Sequence, residues 1–414
     1  MTARGRRRRR AARILVIIEN VSLARDHRAR KQVATLLAAG YLVSVICPRD
    51  PDNAAFRDTA GLRMFEYRPP RTSSGRLAFI WEYTYSWIAA AALAIRAFAG
   101  FGFDAIQAGH PPDIYSFLAL PFKLTGRPFV VDQRDLSPEL FVMRYGRDSG
   151  IFYRLVCTLE RRSWRIADHV VCVNETLRAT IERRGGLEKD RVTIVGNGPV
   201  LAHTAFRSPR PELKDGRRFM VCWIGLMGPQ DHVDLALEAI RYAIQTLGRR
   251  DCLFTFIGDG ELLEGLRATA RQLDIEEWVR FTGWLDGSTC FDHLATADLG
   301  IDPNLQEEVS SVKGMEYMAF GVPLVAFDLP QTRAMAGDGA AYVPAGDVEA
   351  FARTIDGLLD DPARRHAIGA AGRLRIEEEL AWDRQEEAYL AVFSGLLPGA
   401  VPPIRPEAHI TQMT

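Results

Sequence analysis

Short apolar runs alternate with amphipathic stretches along nearly the whole chain. Arg13-Ile-Leu-Val-Ile-Ile18 is apolar after its first residue, the pattern of a strand covered on both faces. Arg28 to Ala39 follows, with apolar residues at Val33, Leu36 and Leu37 and a stop at Gly40, which predicts a helix. Leu42–Cys47, closed by Pro48, is the next strand, and further strands read at Ala105–Ala108, Pro128–Asp132, His169–Asn174 and Val192–Val195. Strand and helix in regular succession predict a parallel sheet with helices on both faces.

The character changes between Asn197 and Gly216, where Asn197-Gly-Pro199, Ser208-Pro-Arg-Pro211 and Lys214-Asp-Gly216 make a polar, turn-rich stretch. Such punctuation predicts a linker. A second alternating series starts at Arg218-Phe-Met-Val-Cys-Trp-Ile224 and continues with strands at Cys252–Ile257, Val279–Thr282, Asp298–Ile301 and Leu324–Phe327, with helices over Val233–Thr246 and Glu261–Leu273. The expected fold class is therefore α/β: two Rossmann-like, doubly wound parallel-sheet domains facing a cleft. The expected layout is a basic disordered tail over 1–12, one domain over 13–205, a second over 206–380, a helix over 381–397 returning to the first domain, and a disordered tail over 398–414. Ligands of open α/β sheets bind beyond the C-terminal strand ends, where helix N-termini converge, so the cleft is the expected site.

A length of 414 residues suits two domains of about 200 residues. Lys plus Arg and Asp plus Glu are equal at 52 each, which argues against nucleic acid as a partner. The exception is Arg4 with Arg6 to Arg10. That run reads either as a tail or misassigned start, or as an attraction to anionic lipid headgroups. Only Ile14 to Ile18 follow as an apolar core, too little for a secretory signal. The most apolar helix candidate, Leu77 to Phe98, carries an uncharged stretch from Tyr83 to Ile95 between Glu82 and Arg96. This falls short of the roughly 20 residues needed to span a bilayer. Its aromatics Phe79, Trp81, Tyr83, Tyr85 and Trp87 read as core, or else as a surface dipping into a membrane. Six scattered cysteines without a C-x-x-C pair predict a reducing, cytoplasmic setting and no structural zinc. The scattered histidines form no metal-ligand set, and His110 reads either as an acceptor-pocket residue or as part of a structural turn.

The most informative stretch is Glu308-Val-Ser-Ser-Val-Lys-Gly-Met-Glu316-Tyr-Met-Ala-Phe-Gly-Val-Pro323, leading into the strand at Leu324. Ser310 or Ser311 can cap a helix that Gly321 and Pro323 end. Free amides at that N-terminus suit a diphosphate. Lys313 on the first turn can neutralise a phosphate charge, and Glu316, one turn on, can accept two hydrogen bonds from a ribose diol. The bland alternative is a solvated amphipathic helix, in which spaced glutamates are common.

This stretch resembles the E-x7-E region of glycosyltransferase family four, whose members are retaining GT-B enzymes. The resemblance continues in Trp223-Ile-Gly-Leu-Met-Gly-Pro-Gln-Asp231, Phe256-Ile-Gly-Asp-Gly-Glu261, Val279-Arg-Phe-Thr-Gly283, Asp132-Gln-Arg-Asp-Leu-Ser-Pro-Glu139, Ala167-Asp-His-Val-Val171 and Val195-Gly-Asn-Gly-Pro199. It implies that Glu316 holds the donor ribose, that Glu308 lies near the donor sugar, and that the amides of Ser311 and Val312 bind the diphosphate. Gly225, Gly228, Gly258, Asp259 and Gly260 fall in the implied nucleotide-binding loops, while Arg134 and Asp135 fall in the acceptor-domain loop facing the donor. The subset most similar acts on lipid-linked sugars in surface polysaccharide assembly, so a nucleotide sugar and a glycan or lipid-linked acceptor are the implied partners. An anionic membrane surface, at the inner face of the plasma membrane, is a further expectation. No cofactor and no metal are required by this scheme.

Two positions depart from the family pattern. Leu226 and Asp231 stand where an Arg and a Lys usually grip the diphosphate, which throws the phosphate charge onto Lys313. Arg134 stands where a His often touches the donor sugar. It reads either as a ligand for phosphate or an acidic sugar, or as a salt bridge to Asp132 or Asp135. Arg25-Asp26-His-Arg28 reads either as a phosphate or acceptor contact, or as a cap by Asp26 with a solvated charge run. These departures keep a catalytically inactive scaffold as an alternative. A nucleotide-sugar epimerase is a weaker one, because no set of acid–base carboxylates with His is evident. A dinucleotide dehydrogenase is weaker still, because no G-x-G-x-x-G follows Ile18 or Ile224.

Overall fold

The computed structural model describes residues 11–19, 21–70, 76–204, 207–307 and 311–398, with backbone alone for 76–80. The basic run, Glu308 and the last sixteen residues lie outside the described residues.

The contact map divides the chain into two units. One runs to Gly196 and resumes at Gln385, and the other is Asn197–Arg384. The expected boundaries at 205/206 and 380/381 thus fall elsewhere. Close packing in the second unit explains the shift: the Trp382 amide donates to the Pro199 carbonyl, and a Cβ on Gly198 would sit 1.6 Å from the Leu380 carbonyl oxygen. The supposed linker is also more structured than its composition suggests, with a helical turn at Leu201–Thr204 and a 3-10 turn at Pro211–Lys214.

The first unit is a seven-stranded parallel sheet of β1 (Arg13–Ile17), β2 (Leu42–Pro48), β3 (Leu62–Tyr67), β4 (Ala105–His110), β5 (Phe129–Gln133), β6 (His169–Cys172) and β7 (Val192–Ile194), in the order β3-β2-β1-β4-β5-β6-β7. Every pairing is parallel. The central strands bury almost all their side chains, as continuous apolar runs require. From Gln385 the C-terminal helix packs on this unit. Thr35 Oγ1 donates to Glu386 at 2.7 Å, and the buried Tyr389 hydroxyl donates to Gln107 Oε1 at 2.7 Å.

The second unit is a six-stranded parallel sheet of β8 (Phe219–Ile224), β9 (Cys252–Ile257), β10 (Val279–Gly283), β11 (Leu299–Asp302), β12 (Leu324–Phe327) and β13 (Ala340–Val343), ordered β10-β9-β8-β11-β12-β13. Strand order reverses beside β1 in the first sheet and beside β8 in the second. Crevices for ligands form beyond strand ends at such reversals.

The aromatics of the helix Arg76–Gly100 are split between core and surface, with Tyr85 and Trp87 packed against the core. Trp81 is 61% exposed, Tyr83, Tyr85 and Trp87 are half-buried, and Phe79 lies among the residues with backbone alone. Alternation along the sequence spreads side chains around a helix, so no single buried stripe can hold all five. No helix among the described residues is long and apolar enough to cross a membrane.

Candidate functional site

In the second unit, β11 ends at Asp302 and the chain re-enters a helix at Val312–Ala319. Ser311 caps it, with extended backbone and Oγ accepting from the Gly314 amide at 2.9 Å. The Val312 and Lys313 amides have no intrahelical acceptor and no hydrogen-bond partner among the described residues. They carry the positive end of the helix dipole. The helix is held rigidly from beneath. The fully buried Tyr317 hydroxyl accepts from the Ile224 amide at 2.9 Å, and a Cβ on Gly300 would meet its ring at 2.3 Å. Glu316, on the next turn, is half-buried, close enough for its charge to help push the Cys290 thiol up to about 12, after burial as the main cause.

Lys313 is not a spare cation. Its Nζ lies 3.0 Å from Asp231 Oδ1 and 3.5 Å from Asp302 Oδ1, and 5.0 Å from the centre of the Trp223 ring. Burial alone would lower its pKa, but Asp302 and Asp231 hold it above the ordinary value. Lys313, Asp231 and Asp302 together carry one net negative charge. The residue that replaces a phosphate-gripping Lys at 231 is thus the partner of the Lys at 313.

The four glycines read as nucleotide-loop residues already have partners for their amides. Gly225 N donates to Ile257 O at 3.0 Å, Gly258 N to Gly283 O at 3.0 Å, and Gly228 N to Leu226 O at 3.1 Å. Gly260 N donates to Asp259 Oδ1 at 2.8 Å. The glycines are needed because two loops pack backbone to backbone. At Gly258 (φ +131) a Cβ would sit 1.9 Å from the Gly225 carbonyl oxygen, and at Gly260 (φ +151) 2.5 Å from the Met227 nitrogen. The structure therefore gives them a packing role. Asp259 and Leu226 stand exposed on these loops.

In the first unit, Asp26 caps the helix His27–Ala38 by accepting from the Ala29 amide at 2.9 Å. Its other oxygen receives Arg134 Nη1 at 2.6 Å, while Arg134 Nε reaches Asp132 at 3.2 Å. Asp132 in turn holds Arg28 Nη2 at 2.7 Å, and Arg28 Nη1 donates to the Val195 carbonyl at 2.8 Å. Burial would raise Asp132, but Arg28 and Arg134 flank it and hold it below the usual carboxylate range. Of the two readings of Arg134, the salt bridge is what the structure shows. Its partners are Asp132 and Asp26 rather than Asp135, and a quarter of the side chain stays exposed. Arg28 is buried, so the expected solvated charge run is instead an internal strut. Asp135 has no ion pair among the described residues, and burial pushes its carboxyl up against the opposing pull of Arg134.

His110, at the end of β4, is fully buried, with Nδ1 3.2 Å from Asp113 Oδ1 and 3.1 Å from Ser163 Oγ. Of its two readings, these contacts fit the structural turn. Glu19, not singled out from the sequence, sits just past β1. Its signal was a carboxylate directly after the unbroken apolar run Ile14–Ile18. Burial, then Glu82, raise its pKa to about 9. The folded state keeps this proton while the unfolded chain releases it near the ordinary value of 4.5. Its contribution is fully present below pH 4.5 and is lost as pH rises towards 9. Glu19→Gln should therefore raise stability at pH 8 by on the order of 3 kcal/mol and leave it nearly unchanged at pH 4. Urea unfolding at the two pH values measures this, and equal effects at both would contradict the assignment.

Two family descriptions match, one on each sheet: "Glycosyl transferase 4-like domain" over residues 26–198 and "Glycosyl transferases group 1" over residues 218–361. Over 164 residues the chain is 31% identical to a GDP-mannose-dependent monoacylated alpha-(1-6)-phosphatidylinositol monomannoside mannosyltransferase of Corynebacterium glutamicum, covering 37% of this chain and 42% of that one. It is 29% identical over 140 residues to a lipopolysaccharide core biosynthesis glycosyltransferase of Rhizobium meliloti, covering 33% and 40%. The chain thus spans less than half the length of these two relatives. The solved structure of Anabaena HepE in complex with UDP-glucose superposes with a TM-score of 0.71 at 16% identity, covering 92% of this chain and 99% of that one. With each half of the chain matched by its own description, and both sheets in the order the fold requires, the protein belongs to glycosyltransferase family four and has the GT-B fold.

Proposed function

We propose that the protein transfers a glycosyl group from a nucleotide sugar, a UDP- or GDP-sugar, to a glycan or lipid-linked acceptor in cell-surface polysaccharide assembly, with retention of configuration. The observation that carries this is the capped helix Val312–Ala319, with two amides unpartnered among the described residues and Glu316 one turn later, at the strand-order reversal of the second sheet. A donor diphosphate would sit on the Val312 and Lys313 amides and its ribose on Glu316. The relatives support the donor class by their names: one is GDP-mannose-dependent, and HepE was solved with UDP-glucose.

In this reading the helix amides stabilise the leaving diphosphate as its charge develops. Lys313 shares its ammonium between Asp231 and a phosphate oxygen. Asp135 is a buried carboxylate of the first unit without an ion pair among the described residues, and the family pattern gives Glu308 the place near the donor sugar. Asp231→Asn should strengthen donor binding about tenfold by removing a like charge, and Lys313→Ala should weaken it by a similar factor. Titration calorimetry with UDP-glucose and GDP-mannose checks both, and unchanged affinities would remove Lys313 and Asp231 from the site.

The silent-scaffold alternative rests on the same ion pairs, which leave Lys313 with no spare charge. Transfer or slow hydrolysis of a nucleotide sugar by the pure protein separates the readings. A lipid-linked acceptor would place the protein at a membrane. Supporting this, Trp81, Ile88 and Ile95 are 61%, 58% and 63% exposed, and their seven-residue spacing puts them on one helix face. Co-sedimentation with anionic vesicles should fall when Trp81 and Ile88 are both changed to Ser, and undiminished binding would reject this surface.

A further inference from the structure

Several buried side-chain atoms of the first unit have no hydrogen-bond partner among the described residues, those of Glu19 and Tyr115 among them. Glu19 is 6% exposed, and its Oε2 has no hydrogen-bond partner among the described residues. Tyr115, which opens the helix Tyr115–Lys123, is 1% exposed, and its hydroxyl is likewise unpartnered. Tyr115 packs with Tyr67 and Ile17 in one buried cluster, and Glu19 follows Ile17 by two residues. Tyr67 is already committed, donating its hydroxyl to the Glu19 carbonyl. Tyr83 and Glu82, on the helix Arg76–Gly100 beside this group, are half-exposed. The group lies at the C-terminal end of β1, beside the order reversal of the first sheet, where an α/β sheet presents its ligands.

Orphaned polar atoms this deep are rare, because each forfeits its hydration without a replacement bond. We infer that Glu19 and Tyr115 form a subsite for a neutral polyhydroxylated ring, a sugar or cyclitol, whose hydroxyls satisfy the Glu19 carboxyl and the Tyr115 hydroxyl. Resting on the transfer reading above, this makes the ring part of the acceptor. The chemistry selects a neutral polyol. With its raised pKa, Glu19 is uncharged at neutral pH and offers both a donor and an acceptor, the pair that a hydroxyl needs. An anionic ligand would face Glu82 as well. The surrounding phenol rings offer apolar faces for ring C–H groups, and a purely apolar ligand would leave both orphans unsatisfied.

Saturation-transfer NMR on the full chain, with methyl α-mannopyranoside and myo-inositol as probes, tests this. The wild type should show transfer to at least one probe. Tyr115→Phe should weaken that probe about three- to tenfold without lowering Tm, Glu19→Leu should abolish its binding, and Glu19→Gln, which keeps a donor and an acceptor, should retain most of it. No transfer to either probe, or equal transfer in Tyr115→Phe and wild type, overturns the subsite. Calorimetry with UDP-glucose and GDP-mannose runs alongside, and all three variants should keep the wild-type donor affinity. If the wild type binds neither nucleotide sugar but the polyol pattern holds, the transfer reading falls and the subsite stands. If donor binds but the polyol pattern fails, the reverse is true.

Discussion

Glu316→Ala should lower the affinity for a nucleotide-sugar donor about ten- to a hundredfold while leaving the fold intact. A carboxylate that accepts two hydrogen bonds from a ribose diol contributes about 1.5–3 kcal/mol, and each 1.4 kcal/mol is tenfold in binding. The helix should tolerate the change. Ala is the better helix former, and Tyr317 and Ser311 anchor this helix. Titration calorimetry with wild-type and variant protein reads the difference. Affinity equal to wild type would remove Glu316 from the donor site.

Gly258→Ala should be among the most damaging single methyls in the second unit. Gly258 directly follows β9 and has φ +131, and an added Cβ would lie 1.9 Å from the Gly225 carbonyl oxygen and 3.0 Å from its carbon. Relief requires separating two loops that are joined by the bonds Gly225 N to Ile257 O and Met227 N to Asp259 O. The cost should be about 3 kcal/mol or more, read as a fall in the urea midpoint. Gly287→Ala is the control: it opens a helix with nothing within 4 Å of the added atom, so the midpoint should hardly move. Equal effects would show that the loops are not in close backbone contact.

Most strands were legible because a strand buried on both faces has only one sequence pattern available to it. The two that were missed are edge strands. β3 carries Arg63 and Glu66 within its run, and β13 is the short Ala340-Ala-Tyr-Val343. Edge positions relax the demand for continuous apolarity, so the signal fades there. The helix stop, the Ser311 cap and the position of Glu316 were legible because they are local. What could not be read was pairing across the chain. That Asp231 and Asp302 would both reach Lys313, or that Arg134 would choose Asp26 over Asp135, depends on which strand ends the sheet order brings together. The four loop glycines illustrate the same limit. The resemblance placed them in nucleotide-binding loops, and only the fold brings the two loops backbone to backbone.

Amide hydrogen exchange at Val312 and Lys313 tests the central claim most directly, since these two N–H groups should receive the donor diphosphate. With saturating UDP-glucose or GDP-mannose, whichever binds, both amides should exchange markedly more slowly than in the free protein. Unchanged exchange at both, with protection appearing elsewhere on the chain, would contradict the account.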